Sequence, residues 1–309
     1  MSAVLSIATP VFAVIAIGLY AGRSGIAPAS DVAAINRFVF KFAMPAALFG
    51  LTAGADPIAG RDLILAGIYG ASALTVMLTA YMIGLRLFSL SPPAAGAHAF
   101  ASTLGNAVFL GLPIALAVEG WFKPFVVLML VEGIGVIALG AALMDPSKKK
   151  GPLGYLAAPF RNPLVIGMAA GLVASFITSA TNLNLPGPIA TLLTTLGRAA
   201  GPAALFSLGL FLATTPRPPI AEVRGKIGAI LSLKMIALPA LMFAGLSVAG
   251  ISEPGILGPA MLFSVVPSGV GAFVMASQFG HYEREAAAAI AVTTLLSMIT
   301  ISCVLVIYG

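Results

Sequence analysis

Two stretches of this chain place helix-breaking and hydrogen-bonding residues deep inside apolar sequence. One is Thr103-Leu104-Gly105-Asn106-Ala107-Val108-Phe109-Leu110-Gly111-Leu112-Pro113, and the other is Val266-Pro267-Ser268-Gly269-Val270-Gly271-Ala272-Phe273-Val274. Proline removes a backbone donor and glycine loosens a helix, so each stretch can unwind and present free N–H and C=O groups. If both unwind at one depth, the positive ends of the half-helices that follow converge, and Asn106 adds an amide that can orient a carboxylate. The chemistry that suits this arrangement is recognition of a small organic anion. Gly105, Asn106, Pro113, Pro267, Ser268, Gly269, Gly271 and Ala272 are the candidate binding residues. The plain alternative is a pair of ordinary kinks, with glycines that let helices pack closely.

Four charged residues also lie inside apolar runs: Lys41, Glu132, Arg198 and Lys234. A charge in the bilayer interior costs roughly 2.5 to 3.5 kcal/mol on insertion scales, so each needs a reason. Glu132 falls near the middle of its run, where burial favours a protonated carboxyl, and it is the candidate for proton coupling. Its alternative is a helix–helix hydrogen bond or a salt bridge to a buried cation. Lys41 and Arg198 could attract an anion along its path, or snorkel to the interface. Snorkelling is the expectation for Lys234, which is read as about two turns into its helix. His98 and His281 are expected at solvated span ends, Gln278 either on a pathway or at a helix end, and Trp121 by an outer loop.

The elements that must hold these residues follow from composition. Of 309 residues, 60% are hydrophobic and 8% charged, which excludes a soluble domain. A span needs about 20 apolar residues to cross roughly 30 Å of hydrocarbon. Ten such runs are present, at 4–22, 32–51, 63–88, 94–118, 124–144, 163–179, 188–213, 227–250, 255–278 and 286–308. Their length favours helices over a closed barrel of short alternating strands. The first run has no preceding basic stretch and no small-residue cleavage site, so it is expected to stay as a helix. A single cysteine, Cys303, excludes an internal disulfide framework and a cysteine-based metal cluster, and no cofactor or metal is expected.

The chain also repeats itself. Pro45-Ala46-Ala47-Leu48-Phe49 in the second run recurs as Pro202-Ala203-Ala204-Leu205-Phe206 in the seventh, with Lys41 falling on Arg198. Pro10, Ala16, Gly18 and Leu19 in the first run match Pro163, Ala169, Gly171 and Leu172 in the sixth. Five helices per half is an odd number, so the second half enters the membrane the other way up. The expectation is a ten-helix, all-α polytopic membrane protein of two inverted repeats, 1–145 and 162–309, joined by a cytoplasmic linker at 146–161, with helices 4 and 9 broken and crossing. This is the plan of the sodium–proton antiporter and bile-acid symporter folds, which place solutes near the midplane between the halves.

Charge sets the expected orientation. Alternate loops collect Arg23, Arg37, Arg86, Lys148, Lys149, Lys150, Arg161, Arg217, Arg224, Lys226 and Arg284, whereas the opposite set holds little beyond Arg61 and Lys123. The positive-inside bias puts the loop between helices 5 and 6 in the cytoplasm and both termini outside an inner-type cell membrane. The net charge of +6 is spread over separate loop ends without a basic face, which argues against nucleic acid. The three adjacent lysines suit contact with anionic lipid headgroups.

On Ile35-Asn36-Arg37-Phe38-Val39 leading to Pro45, the Asn106 to Pro113 segment, and Pro267-Ser268-Gly269 followed by Phe273-Val274 and Gly280, the whole chain resembles the auxin efflux carrier family, which includes plant Pin-type carriers and bacterial organic-acid carriers. The resemblance implies helices 1, 2, 6 and 7 as a scaffold, helices 3–5 and 8–10 as a mobile core, elevator-like alternating access, a homodimer, and a small carboxylate substrate such as malonate, malate or an auxin-like acid. Pin-type carriers have prolines where Gly105 and Ala272 stand here, and Gly271 is expected to keep the second break flexible.

Other function classes fit less well. Cation–proton antiport relies on midplane aspartates, and no run has one near its centre. Sodium coupling needs dense oxygen ligands, and the ninth run offers Ser264, Ser268 and carbonyls without an acid. An intramembrane enzyme would need a metal motif, paired aspartates, or a serine with a histidine or lysine at matching depth, and none is found. A carrier fold repurposed as a sensor leaves no distinguishing mark in sequence.

Overall fold

A computed structural model describes residues 2–54, 60–145, 163–181, 185–214 and 220–309. The expected linker at 146–161, with Lys148, Lys149, Lys150 and Arg161, lies outside the described residues, as does Arg217. The described backbone is helical apart from turns: α1 (Ser2–Arg23), α2 (Ser30–Ala53), α3 (Arg61–Arg86), α4 (Pro92–Ala101), α5 (Leu112–Ala117), α6 (Phe122–Met144), α7 (Pro163–Thr181), α8 (Gly187–Thr214), α9 (Glu222–Val248), α10 (Pro254–Val265), α11 (Val270–Phe279) and α12 (Glu283–Tyr308). Seven of these helices, α2, α3, α6, α7, α8, α9 and α12, are long and apolar enough to cross a membrane. The fourth and ninth apolar runs are each interrupted, as α4 with α5 and as α10 with α11.

Burial is distributed as lipid demands. Large apolar side chains such as Phe176, Val248 and Val306 stand exposed, while Asn36, Thr103, Asn106, Glu132, Ser207, Lys234 and Ser268 are buried. With no water to satisfy them, polar groups face inward and find partners there. Thus Thr52 Oγ1 donates across helices to the Met168 carbonyl at 3.0 Å, and Ser207 Oγ donates to Asn36 Oδ1 at 2.7 Å.

Glycine sets how closely the helices approach, and it does so in a paired way. Helix α1 packs on α8, α7 packs on α2, and α2 packs on α8. A Cβ at Gly18 would fall on the Phe206 carbonyl oxygen, and one at Gly171 on the Phe49 carbonyl oxygen and the Thr52 hydroxyl. Gly18 and Gly171 are matched positions of the sequence repeat, as are Phe49 and Phe206, so the same contact is made twice with the halves exchanged. The remaining helices gather on the other side of the broken pair, α3 on α4, α6 and α9, and α10 on α9, α6 and α12.

Among the described residues, four π-helical turns widen otherwise α-helical runs: Val39–Ala43 in α2, Ala107–Gly111 before α5, Glu132–Ile137 in α6 and Leu233–Ala237 in α9. Such turns occur mostly singly and often at functional sites. Here they surround the interruption of the fourth run.

Candidate functional site

Helix α4 ends at Ala101 because the chain meets its last carbonyls with other donors. Ser102 Oγ donates to His98 O at 2.8 Å, Thr103 Oγ1 to Ala99 O at 2.9 Å, and the Leu104 N–H to Phe100 O at 2.9 Å. Ser268 Oγ, from the other interruption, donates to Ala101 O at 2.8 Å. The four carbonyls a helix leaves orphaned are thereby all met, without water. The same economy operates at the end of α10, where Thr300 Oγ1 donates to Val265 O at 3.3 Å and Lys234 Nζ to Ser264 O at 3.5 Å.

The two interruptions touch through their backbones. The Asn106 N–H donates to Pro267 O at 2.8 Å, and the Gly269 N–H donates to Leu104 O at 2.9 Å, around an antiparallel bridge of Gly105 and Ser268. Leu104, Gly105 and Asn106 therefore stand to one half as Pro267, Ser268 and Gly269 do to the other. The flanking helices continue the pairing: Glu132 Oε1 accepts the Gly105 N–H at 2.7 Å, and Thr293 Oγ1 accepts the Ser268 N–H at 3.1 Å. Position for position the two sides agree in shape and differ in chemistry. The first carries a carboxamide and a carboxylate where the second carries Gly269 and a hydroxyl.

Beside the crossing is a cavity of about 60 Å³, lined by Met44, Leu48 and Leu51 of α2, Leu164 of α7, Phe100, Leu104, Gly105, Asn106, Ala107 and Val108 of the first interruption, Glu132 of α6, and Gly269, Val270 and Gly271 of the second. That volume has room for on the order of four waters, or for one carboxylate group. Asn106 is buried, and its Oδ1 has no hydrogen-bond partner. An orphaned buried polar atom is costly, and a primary amide can rotate to offer either its oxygen or its NH₂.

Of the sequence candidates, Gly105, Asn106, Glu132, Gly269 and Gly271 line the cavity together, and Pro267 and Ser268 form the crossing. Pro113 is the second residue of α5. Ala272 lies within the first turn of α11, beyond the break, and does not line the cavity. Lys41 and Arg198 are exposed and likewise do not line it.

Some readings are corrected. Lys234 does not snorkel: it is fully buried, because α9 begins by Glu222 and so places it about 18 Å along the helix, near that helix's middle. A Cβ on Gly105 would lie 3.4 Å from Lys234 Nζ and 3.4 Å from Glu132 Oε1, so both charges press on that glycine. His98 is not solvated, since the turn before α12 folds Tyr282 over it. Its Nδ1 and the Tyr282 hydroxyl are 2.8 Å apart, and Phe88 meets its other side edge-on. Trp121 is buried against Gly258 of α10 rather than peripheral. Gln278 ends a helix, one residue before α11 stops at a left-handed Gly280. Tyr69, whose hydroxyl donates to Glu132 Oε1 at 2.9 Å, carried no sequence signal.

Two interrupted helices joined backbone to backbone beside a mostly apolar cavity that takes polar lining from Asn106 and Glu132, inside an all-helical multi-pass membrane protein, are the architecture of a membrane transporter. The family model described as "Membrane transport protein" matches residues 3–153 and 155–305, and the chain belongs to that family, the auxin efflux carriers; it is a transporter and not an enzyme. Among curated proteins it is similar to a "Putative malonate transporter" of Rhizobium meliloti (strain 1021), 27% identical over 98% of this chain and 95% of that one. It is also similar to an uncharacterized transporter of Escherichia coli (strain K12), 24% identical over 94% of this chain and 93% of the other.

Proposed function

We propose that the protein carries a small carboxylate, of which malonate is the first to try, by binding one carboxylate group at the crossing beside Asn106. The observation that carries this reading is the buried carboxamide of Asn106, which lines the cavity with its Oδ1 unpartnered, so that nothing holds the oxygen in place and the amide can turn its NH₂ donors to an anion. The half-helix starts at Ala107 and Val270 add N–H groups of favourable polarity. The name of the Rhizobium relative supports the substrate class.

In the same reading the chain has ten spans in two inverted repeats, 1–145 and 162–309. The exchanged glycine contacts and the reciprocal backbone pairs at the crossing support the inversion. Helices α1, α2, α7 and α8 form the scaffold and the others a core that moves elevator-like past it, with Met44, Leu48 and Leu164 as the scaffold wall of the site. Glu132 is the coupling acid. Sodium is less favoured, since the second interruption offers Ser264, Ser268 and carbonyls without an acid. Both termini face outward in an inner-type membrane. Arg61 and Lys123, on the outward side, are each paired with an acid, Glu253 at 2.6 Å and Asp62 at 3.2 Å, as Lys226 on the inward side is with Glu285 at 2.7 Å, so the inward excess rests on the number of basic residues there. A homodimer in lipid is the expected assembly.

The test is uptake of radiolabelled mono- and dicarboxylates into proteoliposomes under imposed proton or sodium gradients. Saturable malonate uptake that disappears in a folded Asn106→Ala protein is the expected result. No carboxylate flux under any gradient would refute the reading.

A further inference from the structure

The sequence repeat and the crossing are nearly symmetric, but the charge is not. Glu132 of α6 and Lys234 of α9, one from each half of the chain, meet at the backbone of Gly105. The groups that face Glu132 are the Gly105 N–H, the Tyr69 hydroxyl of α3, and Lys234. Lys234 has one long hydrogen bond, to Ser264 O, and Gly105 has no side chain to screen it from the cavity beyond. With Glu132 ionised, the unit is neutral, and a carboxylate entering beside Asn106 would bring an uncompensated negative charge into a buried place. With Glu132 protonated, Lys234 is the unmatched charge and the site favours an anion.

Resting on the carboxylate reading of this site, we infer that Lys234 is its fixed positive charge, acting through Gly105 without touching the substrate, and that each carboxylate binds together with one proton on Glu132. The proton goes to the carboxylate of Glu132. Its Oε1 already accepts from both Gly105 and Tyr69, and the Tyr69 hydroxyl can turn to accept in exchange. The proton then offsets the charge of the one carboxylate group bound beside Asn106, so a monocarboxylate crosses as a neutral load and malonate, a dianion at neutral pH, with one net negative charge.

The experiment is calorimetric titration of the full chain in lipid nanodiscs with sodium malonate at neutral pH, in two buffers of widely different ionisation heat, so that proton uptake is counted directly. Wild type is expected to take up about one proton per malonate, and Glu132→Gln to bind malonate without proton uptake. Lys234→Gln should weaken malonate about tenfold or more, and Lys234→Arg should restore most of it. The double variant Glu132→Gln with Lys234→Gln removes both buried charges. It should regain the melting temperature lost in Lys234→Gln alone without regaining affinity, which separates the electrostatic role from a purely structural one. Malonate binding to wild type with no proton uptake overturns the inference and leaves the carboxylate site standing. The absence of any carboxylate heat overturns both.

Discussion

Gly269→Ala tests the crossing more directly than any change to a polar residue. A Cβ there would stand 2.5 Å from the Gly105 carbonyl oxygen and 3.0 Å from its carbon, both backbone atoms. An ordinary C···O approach is about 3.3 Å, so the two strands must part by about 0.8 Å. Hydrogen bonds of 2.8 and 2.9 Å at Asn106 and Gly269 would then exceed bonding distance. Each is worth about 1 kcal/mol net, and the overpacking adds about 1 to 3 kcal/mol. The whole loss is about 3 to 5 kcal/mol, concentrated at the proposed substrate site. Gly105→Ala is the graded comparison: its nearest obstacle is Val266 Cγ2 at 2.8 Å, a side-chain methyl that can turn away. Gly50→Ala, in a helix with nothing within 4 Å, is the silent control. Melting curves of the purified variants and malonate uptake in proteoliposomes should rank Gly269→Ala below Gly105→Ala, and both below Gly50→Ala. A Gly269→Ala protein that melts and transports like Gly50→Ala would show that the backbone pairs are not what holds the crossing.

Three further outcomes are expected. Glu132→Ala leaves the Gly105 N–H and the Tyr69 hydroxyl without their acceptor, about 1 to 3 kcal/mol for each buried group, whereas Glu132→Gln keeps an acceptor oxygen. The alanine variant should therefore melt clearly below the glutamine one, and equal melting would discount the hydrogen bonds. Tyr282→Phe strips His98 Nδ1 of its partner while Nε2 already has none, so a loss of about 1 to 3 kcal/mol should appear in chemical denaturation. Gly18→Ala and Gly171→Ala should each destabilise by about 1 to 3 kcal/mol through equivalent carbonyls, and Gly171→Ala by about 1 kcal/mol more, because its Cβ also displaces the Thr52 hydroxyl from the Met168 carbonyl. A large effect in one and none in the other would argue against equivalent packing.

Much of the site was legible because its residues break a strong pattern. Gly105, Asn106, Pro267, Ser268 and Gly269 stand out in apolar sequence, and a lone acid at Glu132 does so too. What failed was depth. Lys234 looked peripheral because the apolar run was taken to begin at 227, while the helix begins with the charged turn around Glu222 and Arg224. His98 looked solvated and Trp121 peripheral because a run's end says nothing of what folds over it; a left-handed Tyr282 covers the first, and the space left at Gly258 takes the second. Ala272 was proposed from the family's proline pattern, and the geometry puts the second break earlier, at Val266 to Gly269. Tyr69 is an unremarkable tyrosine in an apolar helix until its hydroxyl is seen on Glu132.

A π-helical turn is an α-helix with one extra residue, and each in this chain lies at or beside a residue of the argument: Lys41 and Met44, Asn106, Glu132, Lys234. One residue is about 100° of rotation around the helix axis. Deleting a single residue from the turn at 132–137 or 233–237 would therefore close the wide turn into a regular α-helix, keeping the helix beyond it on its present face and re-aiming only the side chains of the turn itself. Among related carriers, a one-residue gap at these places would redirect the residue at Glu132 or Lys234 and spare the rest, and insertion and deletion become a route by which the lining of such a site can change without a new fold.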